Sequence, residues 1–159
     1  METFFSGEEI VDMAVSIEEN GYRFYKNAEK HAKTDEARLL FAFLAGEEAN
    51  HKQIFLGLKG DVAEKQQGVP IDWDEVGQYI EAMVESSIFM GKDKNIVMAA
   101  GSESDAEAIE YAIKFERDTL LFFYQLRDLI KPGARDAVEE IIKEEKGHVK
   151  RLADMKKQM

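Results

Sequence analysis

"GEEANHKQ", residues 46–53, and "KEEKGHVK", residues 143–150, decide the fold. Each places a glutamate three residues before a histidine, and each interrupts an otherwise apolar stripe. "FAFLA" and "IFLGL" flank the first, "VEEII" and "LADM" the second. Residues three apart in a helix lie on one face, so Glu48 with His51, and Glu145 with His148, converge in pairs. A helix that buries such a stripe carries its charges into the core.

Working outward, helix signals frame both stretches. Ser6 with Glu9, and Ser104 with Glu107, have capping-box spacing, and long amphipathic runs follow each. Four helices are predicted, at about 6–32, 35–59, 104–131 and 134–157, the second stopped by Gly60 and the third by "KPG" at 131–133. Each has a length of roughly 38 Å at 1.5 Å per residue. The links inside each pair are short, so the helices pair into two antiparallel hairpins. Residues 60–103 form a crossover that holds "GVPIDW", a short helix from Asp72 to about Glu85, and the loops "GKDKN" and "GSES". A connection this long can return along the second helix. Two antiparallel hairpins joined by one long crossover are the ferritin-like, all-α four-helix topology. The whole chain, 1–159, reads as a single domain.

An internal repeat supports that reading. A shift of 98 pairs Ala14 with Ala112, Glu18 with Glu116 and Phe24 with Phe122, and sets Tyr25 against Phe123. A shift of 97 pairs Glu47 with Glu144, Glu48 with Glu145 and His51 with His148. The one-residue difference falls in the inter-helix links, where insertions are tolerated best. Two hairpins of one pattern imply a pseudo-twofold axis.

On a heptad, the first helix turns Val11, Ala14, Glu18, Tyr22 and Tyr25 inward, and the second Ala37, Phe41, Leu44, Glu48, His51, Phe55 and Leu58. The third presents Ile109, Ala112, Glu116, Leu120 and Phe123, the fourth Val138, Ile141, Glu145, His148, Leu152 and Met155. Each face is apolar except at one level. Four carboxylates facing one another in a core cannot stand as ions without compensation. Two divalent cations cancel four negative charges and leave two neutral imidazoles as further ligands, so Glu18, Glu48, His51, Glu116, Glu145 and His148 are the candidate metal ligands. His31 has Ala28 at the corresponding position and is read as a solvated residue in a last helical turn.

Composition narrows the classes. Net charge is −11, which repels a phosphate backbone and argues against nucleic acid. No cysteine is present, which excludes disulfides, thiolate zinc sites and cysteine nucleophiles. The N-terminus carries acids in place of a basic signal region, and no run reaches the roughly 18 apolar residues of a membrane span. A cytoplasmic location is expected.

The segments "SIEENGYRFYKNA" and "KFERDTLLFFYQL", followed by "FLAGEEANHKQIF" and "IIKEEKGHVKRL", resemble the rubrerythrin-like branch of the ferritin-like superfamily. The resemblance implies a non-haem diiron site holding two iron ions, with manganese or zinc as substitutes. It makes Glu18 and Glu116 terminal carboxylates, Glu48 and Glu145 bridges, and His51 and His148 one ligand for each metal. Full-length rubrerythrins carry a further cysteine-held iron, which this chain lacks, so electrons must come from a separate donor protein or small donor. Rubrerythrins also tend to carry an extra glutamate one turn before the third-helix ligand, where Ile113 stands here. That carboxylate is linked to peroxide chemistry in the family.

Aromatic residues surround the site by spacing: Tyr22, Tyr25, Phe55, Phe122, Phe123 and Tyr124. Tyr25, two turns after Glu18, is placed to hydrogen-bond a ligand carboxylate. The expected function is an oxidoreductase reducing peroxide or dioxygen, working as a homodimer. The alternatives are an iron-handling protein that oxidises and sequesters ferrous iron, and a redox sensor.

Overall fold

The computed structural model describes residues 6–86 and 104–159. Four long helices dominate: α1 (Gly7–His31), α2 (Asp35–Gly57), α4 (Asp105–Leu129) and α5 (Arg135–Lys157), with a shorter α3 (Trp73–Ser86) in the crossover. α1 and α4 start at the caps read from sequence. Ser6 accepts from the Glu9 amide while Glu9 accepts from the Ser6 amide, each at 3.3 Å, which closes the capping box. Thr34 caps α2 through the Ala37 amide, Asp72 accepts from the amides of Asp74 and Glu75, and Ser104 caps α4 through Glu107. Caps of this kind are worth about 1 kcal/mol each. α2 ends three residues before the expected stop at Gly60. After α4, Pro132–Ala134 form one 3-10 turn before α5 begins.

The connectivity follows from what meets at each end of the bundle. Asp105, at the start of α4, accepts from the backbone amides of Lys33 and Thr34 and from the Thr34 hydroxyl, at the start of α2. At the opposite end, the chain leaving α2 pairs with the chain leaving α4. The Ala63 amide donates to Leu129, the Lys131 amide donates to Asp61, and Val62 bridges Ile130. α2 and α4 therefore run parallel, and the segment between them must travel back along the bundle. That is the ferritin-like crossover.

One element of the crossover was not read from sequence. Lys65–Gln66 and Val69–Pro70 pair as a minimal antiparallel hairpin. Its turn residues, Gln67 (φ 53°) and Gly68 (φ 81°), are both left-handed, the signature of a type I′ turn. The sequence lacks the Asn-Gly or Asp-Gly that usually announces it. The expected "GKDKN" loop, and "GSES" up to Glu103, lie outside the described residues.

The core is strongly aromatic. Phe24, Tyr25, Phe41, Phe55, Phe115, Phe122 and Phe123 are fully buried, and Phe55 meets Phe123 with ring centroids 4.9 Å apart. Three residues expected to face inward are only half-buried: Tyr22, Leu120 and Met155. For the first two the reason is helical phase. After Glu18 and Glu116 the next inward residues are Gly21 and Thr119, three positions on, whereas the heptad assigned the fourth. At Gly21 an added Cβ would lie 2.7 Å from Glu48 Oε2 and 2.9 Å from the Phe115 ring, so glycine is what lets that carboxylate approach α1.

Candidate metal centre

Four helices deliver six polar side chains to one point in this core. α1 supplies Glu18, α2 Glu48 and His51, α4 Glu116, and α5 Glu145 and His148. Five of the six have no exposed surface and His148 only 2%. Glu145 is the hub. The Nδ1–H of His51 donates to its Oε1 and that of His148 to its Oε2, both at 2.9 Å. The two imidazole rings, one from each hairpin, stack with centroids 5.7 Å apart.

Burial and close neighbours shift the ionisation of every member of this cluster. Burial, with the charge of Glu145 beside them, raises Glu18, Glu48 and Glu116 well above the usual carboxylate range. Burial pushes Glu145 the same way, but hydrogen bonds from His148 and His51 outweigh it and hold that carboxyl low. His51 is pushed up to about 9, because the hydrogen bond and charge of Glu145 outweigh desolvation. His148 is raised too: burial lowers it, but bonds to Glu116, Glu145 and Glu48 dominate.

Even so, the donors are not satisfied. Both oxygens of Glu18, both of Glu48, Oε2 of Glu116 and Nε2 of His148 are buried with no hydrogen-bond partner. Orphaned polar atoms at this density cost about 1–3 kcal/mol each, and native cores avoid them unless something else binds there. Ligand atoms from Glu18, Glu48, His51 and Glu145, and from Glu48, Glu116, Glu145 and His148, form two sets, each within 4.8 Å. Glu48 and Glu145 belong to both sets. Two cations sharing two carboxylates fit this arrangement, and oxygen with imidazole donors suits iron or manganese, with zinc able to compete.

The expected partner of Tyr25 is present: its hydroxyl donates to Glu116 Oε1 at 2.5 Å. Phe55, Phe122 and Phe123 are buried as their spacing implied. Tyr22 and Tyr124 are not enclosed, and the Tyr124 ring lies between Arg127 and Lys146 on the outer side of the α4–α5 seam. His31 is exposed at the end of α1, with Nδ1 2.9 Å from the Asn27 carbonyl and no place in the cluster.

Two residues escaped the sequence reading. Glu144 accepts from His51 Nε2 at 2.6 Å, and Glu47 Oε2 lies 3.9 Å from His148 Nε2. Each is the residue before a candidate bridge, and each faces the histidine of the other hairpin. The signal was present as the doubled glutamate in "GEEANH" and "KEEKGH", paired by the internal repeat.

The sequence profile of the rubrerythrin family matches residues 9–156. The chain belongs to the rubrerythrin family. A Thermotoga maritima protein, described with its crystal structure as a ferritin-like diiron-carboxylate protein, is 26% identical and superposes with a TM-score of 0.70 over 98% of this chain and 97% of its own. A DUF305 fragment from Deinococcus radiodurans shares the fold, with a TM-score of 0.68 at 9% identity, over 99% of this chain and all of that one. Among curated proteins none matches. This rubrerythrin-family chain has no cysteine. Among its described residues no helix is long and apolar enough to cross a membrane.

Proposed function

We propose that the protein is a non-haem diiron oxidoreductase that reduces peroxide or dioxygen with electrons from a separate donor. The observation that carries this reading is the sharing of Glu48 and Glu145 between two buried donor sets. An iron pair held there supplies two electrons together, the number needed to cleave one O–O bond. Glu18, Glu48 and His51 with Glu145 would hold one iron, and Glu116, His148 and the same two shared carboxylates the other.

The protein's own contribution is placement, charge balance and a dry cavity. All six side chains are enclosed, so bulk water is kept from the reacting centre. Tyr25 keeps its proton in a hydrogen bond to Glu116 Oε1, 2.5 Å between the oxygens, in a pocket where burial and the Glu116 charge make its own ionisation difficult. Glu144 fixes His51 with Nε2 outward and Nδ1 toward the carboxylates. Nothing in the chain can hold a cysteine-bound electron relay, so turnover requires an external reductant.

Ile113 is half-buried and packs against the core one turn before Glu116. With no carboxylate there, peroxide is expected to have less advantage over dioxygen than in a full rubrerythrin. Stopped-flow mixing of diferrous protein with each oxidant, with and without an added donor, tests the proposal. Oxidation of both irons in one step and donor-dependent turnover support it. Oxidation without turnover moves the protein to iron handling, and no reaction with either oxidant to a sensing role. A homodimer on sizing fits the first reading, a large cage the second.

A further inference from the structure

Just outside the buried cluster lies a second group of donors. Ligand atoms of Glu47, His51 and Glu144 are within 4.8 Å of one another, between α2 and α5. The two glutamates are partly exposed, at 30% and 35% of their side-chain surface, while His51 is fully enclosed. His51 thus spans both regions, with Nδ1 on Glu145 inside and Nε2 on Glu144 outside.

The charge here is left uncompensated. Some other surface acids are matched, as Glu19 is by Lys52 and Glu110 by Lys156. Among the described residues neither Glu47 nor Glu144 has a lysine or arginine partner; each faces only an imidazole. Into the same place points Nε2 of His148, buried, without a hydrogen bond, and 3.9 Å from Glu47 Oε2. Once a cation displaces the Nε2 proton that His51 gives to Glu144, two carboxylates beside the ring nitrogens of two histidines make a donor set for a hard or borderline divalent ion.

We propose that Glu47, Glu144 and the outward Nε2 of His51 form an outer cation site, through which divalent ions load the buried pair. The site rests on the reading of the buried cluster as a metal centre. That centre has no exposed ligand of its own, so an incoming ion must exchange its hydration shell for protein donors at the surface first. Paired negative charge at the mouth of a low-dielectric cleft raises the local concentration of cations and their rate of arrival. The outer site is weaker than the inner ones because it offers fewer carboxylates and faces two ions once the centre is full.

The test is loading of the metal-free full chain with Co²⁺, followed by the visible absorption of the bound ion, with equilibrium affinity from calorimetry. Glu47→Gln combined with Glu144→Gln removes both charges while keeping oxygen acceptors for the histidines. This variant is expected to load about tenfold or more slowly, to reach the same two-ion endpoint, and to lose less in affinity than in rate. Loading at the wild-type rate overturns the proposal. A slower rate with an equal loss of affinity also overturns it, since the carboxylates would then only orient the imidazoles. Failure of the inner reading shows itself differently: the wild-type protein takes up no tight pair of ions, and Glu18→Gln with Glu116→Gln changes nothing.

Discussion

Tyr25 on α1 donates a 2.5 Å hydrogen bond to Glu116 on α4, across 91 residues of sequence. The internal repeat sets Phe123 opposite Tyr25 and Glu18 opposite Glu116, and Phe123 has no hydroxyl to give. Both oxygens of Glu18 are accordingly without a partner, whereas Glu116 has one satisfied. The pseudo-twofold axis is broken at the carboxylates. The two halves of the centre should therefore bind ions unequally. Tyr25→Phe is expected to destabilise the metal-free protein by about 1–3 kcal/mol and to weaken one of two stepwise Co²⁺ affinities by roughly 10- to 100-fold. Calorimetric titration that shows two identical sites, unchanged by the substitution, would remove this asymmetry.

Gly21 provides a sharper steric test. A Cβ at this position falls 2.7 Å from Glu48 Oε2 and 2.9 Å from the Phe115 ring, both buried in the packed core. Gly21→Ala should cost about 1–3 kcal/mol by overpacking and push the shared carboxylate off its position. Metal affinity is expected to fall while far-ultraviolet circular dichroism stays helical. By contrast Gly46→Ala, with nothing within 4 Å of its Cβ, should leave affinity unaltered. Equal behaviour of the two variants would contradict the role given to Gly21.

How much of this was legible in the sequence depends on range. The starts of α1 and α4 could be read because Ser6 and Ser104 act on amides three residues away. The convergence of the six inward polar residues could be read because charge inside an apolar stripe has few destinations. Contacts between hairpins left weaker traces. Glu47 and Glu144 look like ordinary surface acids until α2 and α5 are placed side by side, and Gly21 looks like a helix defect until Glu48 is beside it. The 65–70 hairpin was hidden because its turn uses Gln67, a residue with little preference for positive φ.

Asp105 shows the same limit and carries its own prediction. Its carboxylate gathers three donors from the link between α1 and α2, and so ties the first hairpin to the start of the second. Charge-assisted bonds of this kind are worth roughly 1.5–3 kcal/mol each in partly buried settings, with strong non-additivity. Asp105→Ala should lower stability by about 2–4 kcal/mol in urea unfolding, with the metal-binding stoichiometry unchanged in the folded protein. A neutral effect would mean that α2 and α4 are held parallel by apolar packing alone.

The final prediction concerns pH. In the metal-free protein, burial and the neighbouring Glu145 charge hold Glu18, Glu48 and Glu116 well above their ordinary value of 4.5. Groups raised in this way stabilise the fold below their ordinary pKa and lose that contribution as pH rises through the folded value. His51 behaves likewise, its contribution complete below its ordinary 6.5 and lost as pH passes about 9, and His148 shifts in the same direction. Glu145, held low by the two histidines, has the opposite sign, but its contribution is lost only in strong acid. The metal-free melting temperature should therefore fall from about pH 5 to pH 9. Bound ions replace these protons, so the loaded protein should weaken toward acid, where protons compete for the same donors. The gap between loaded and stripped protein should widen steadily with pH, and loading near neutrality should release protons from both imidazoles. Differential scanning calorimetry at pH 5, 7 and 9, with proton release measured in weakly buffered titrations, checks both. A gap that stays constant or narrows toward pH 9 would mean that the buried carboxyls are not neutralised by protons when metal is absent.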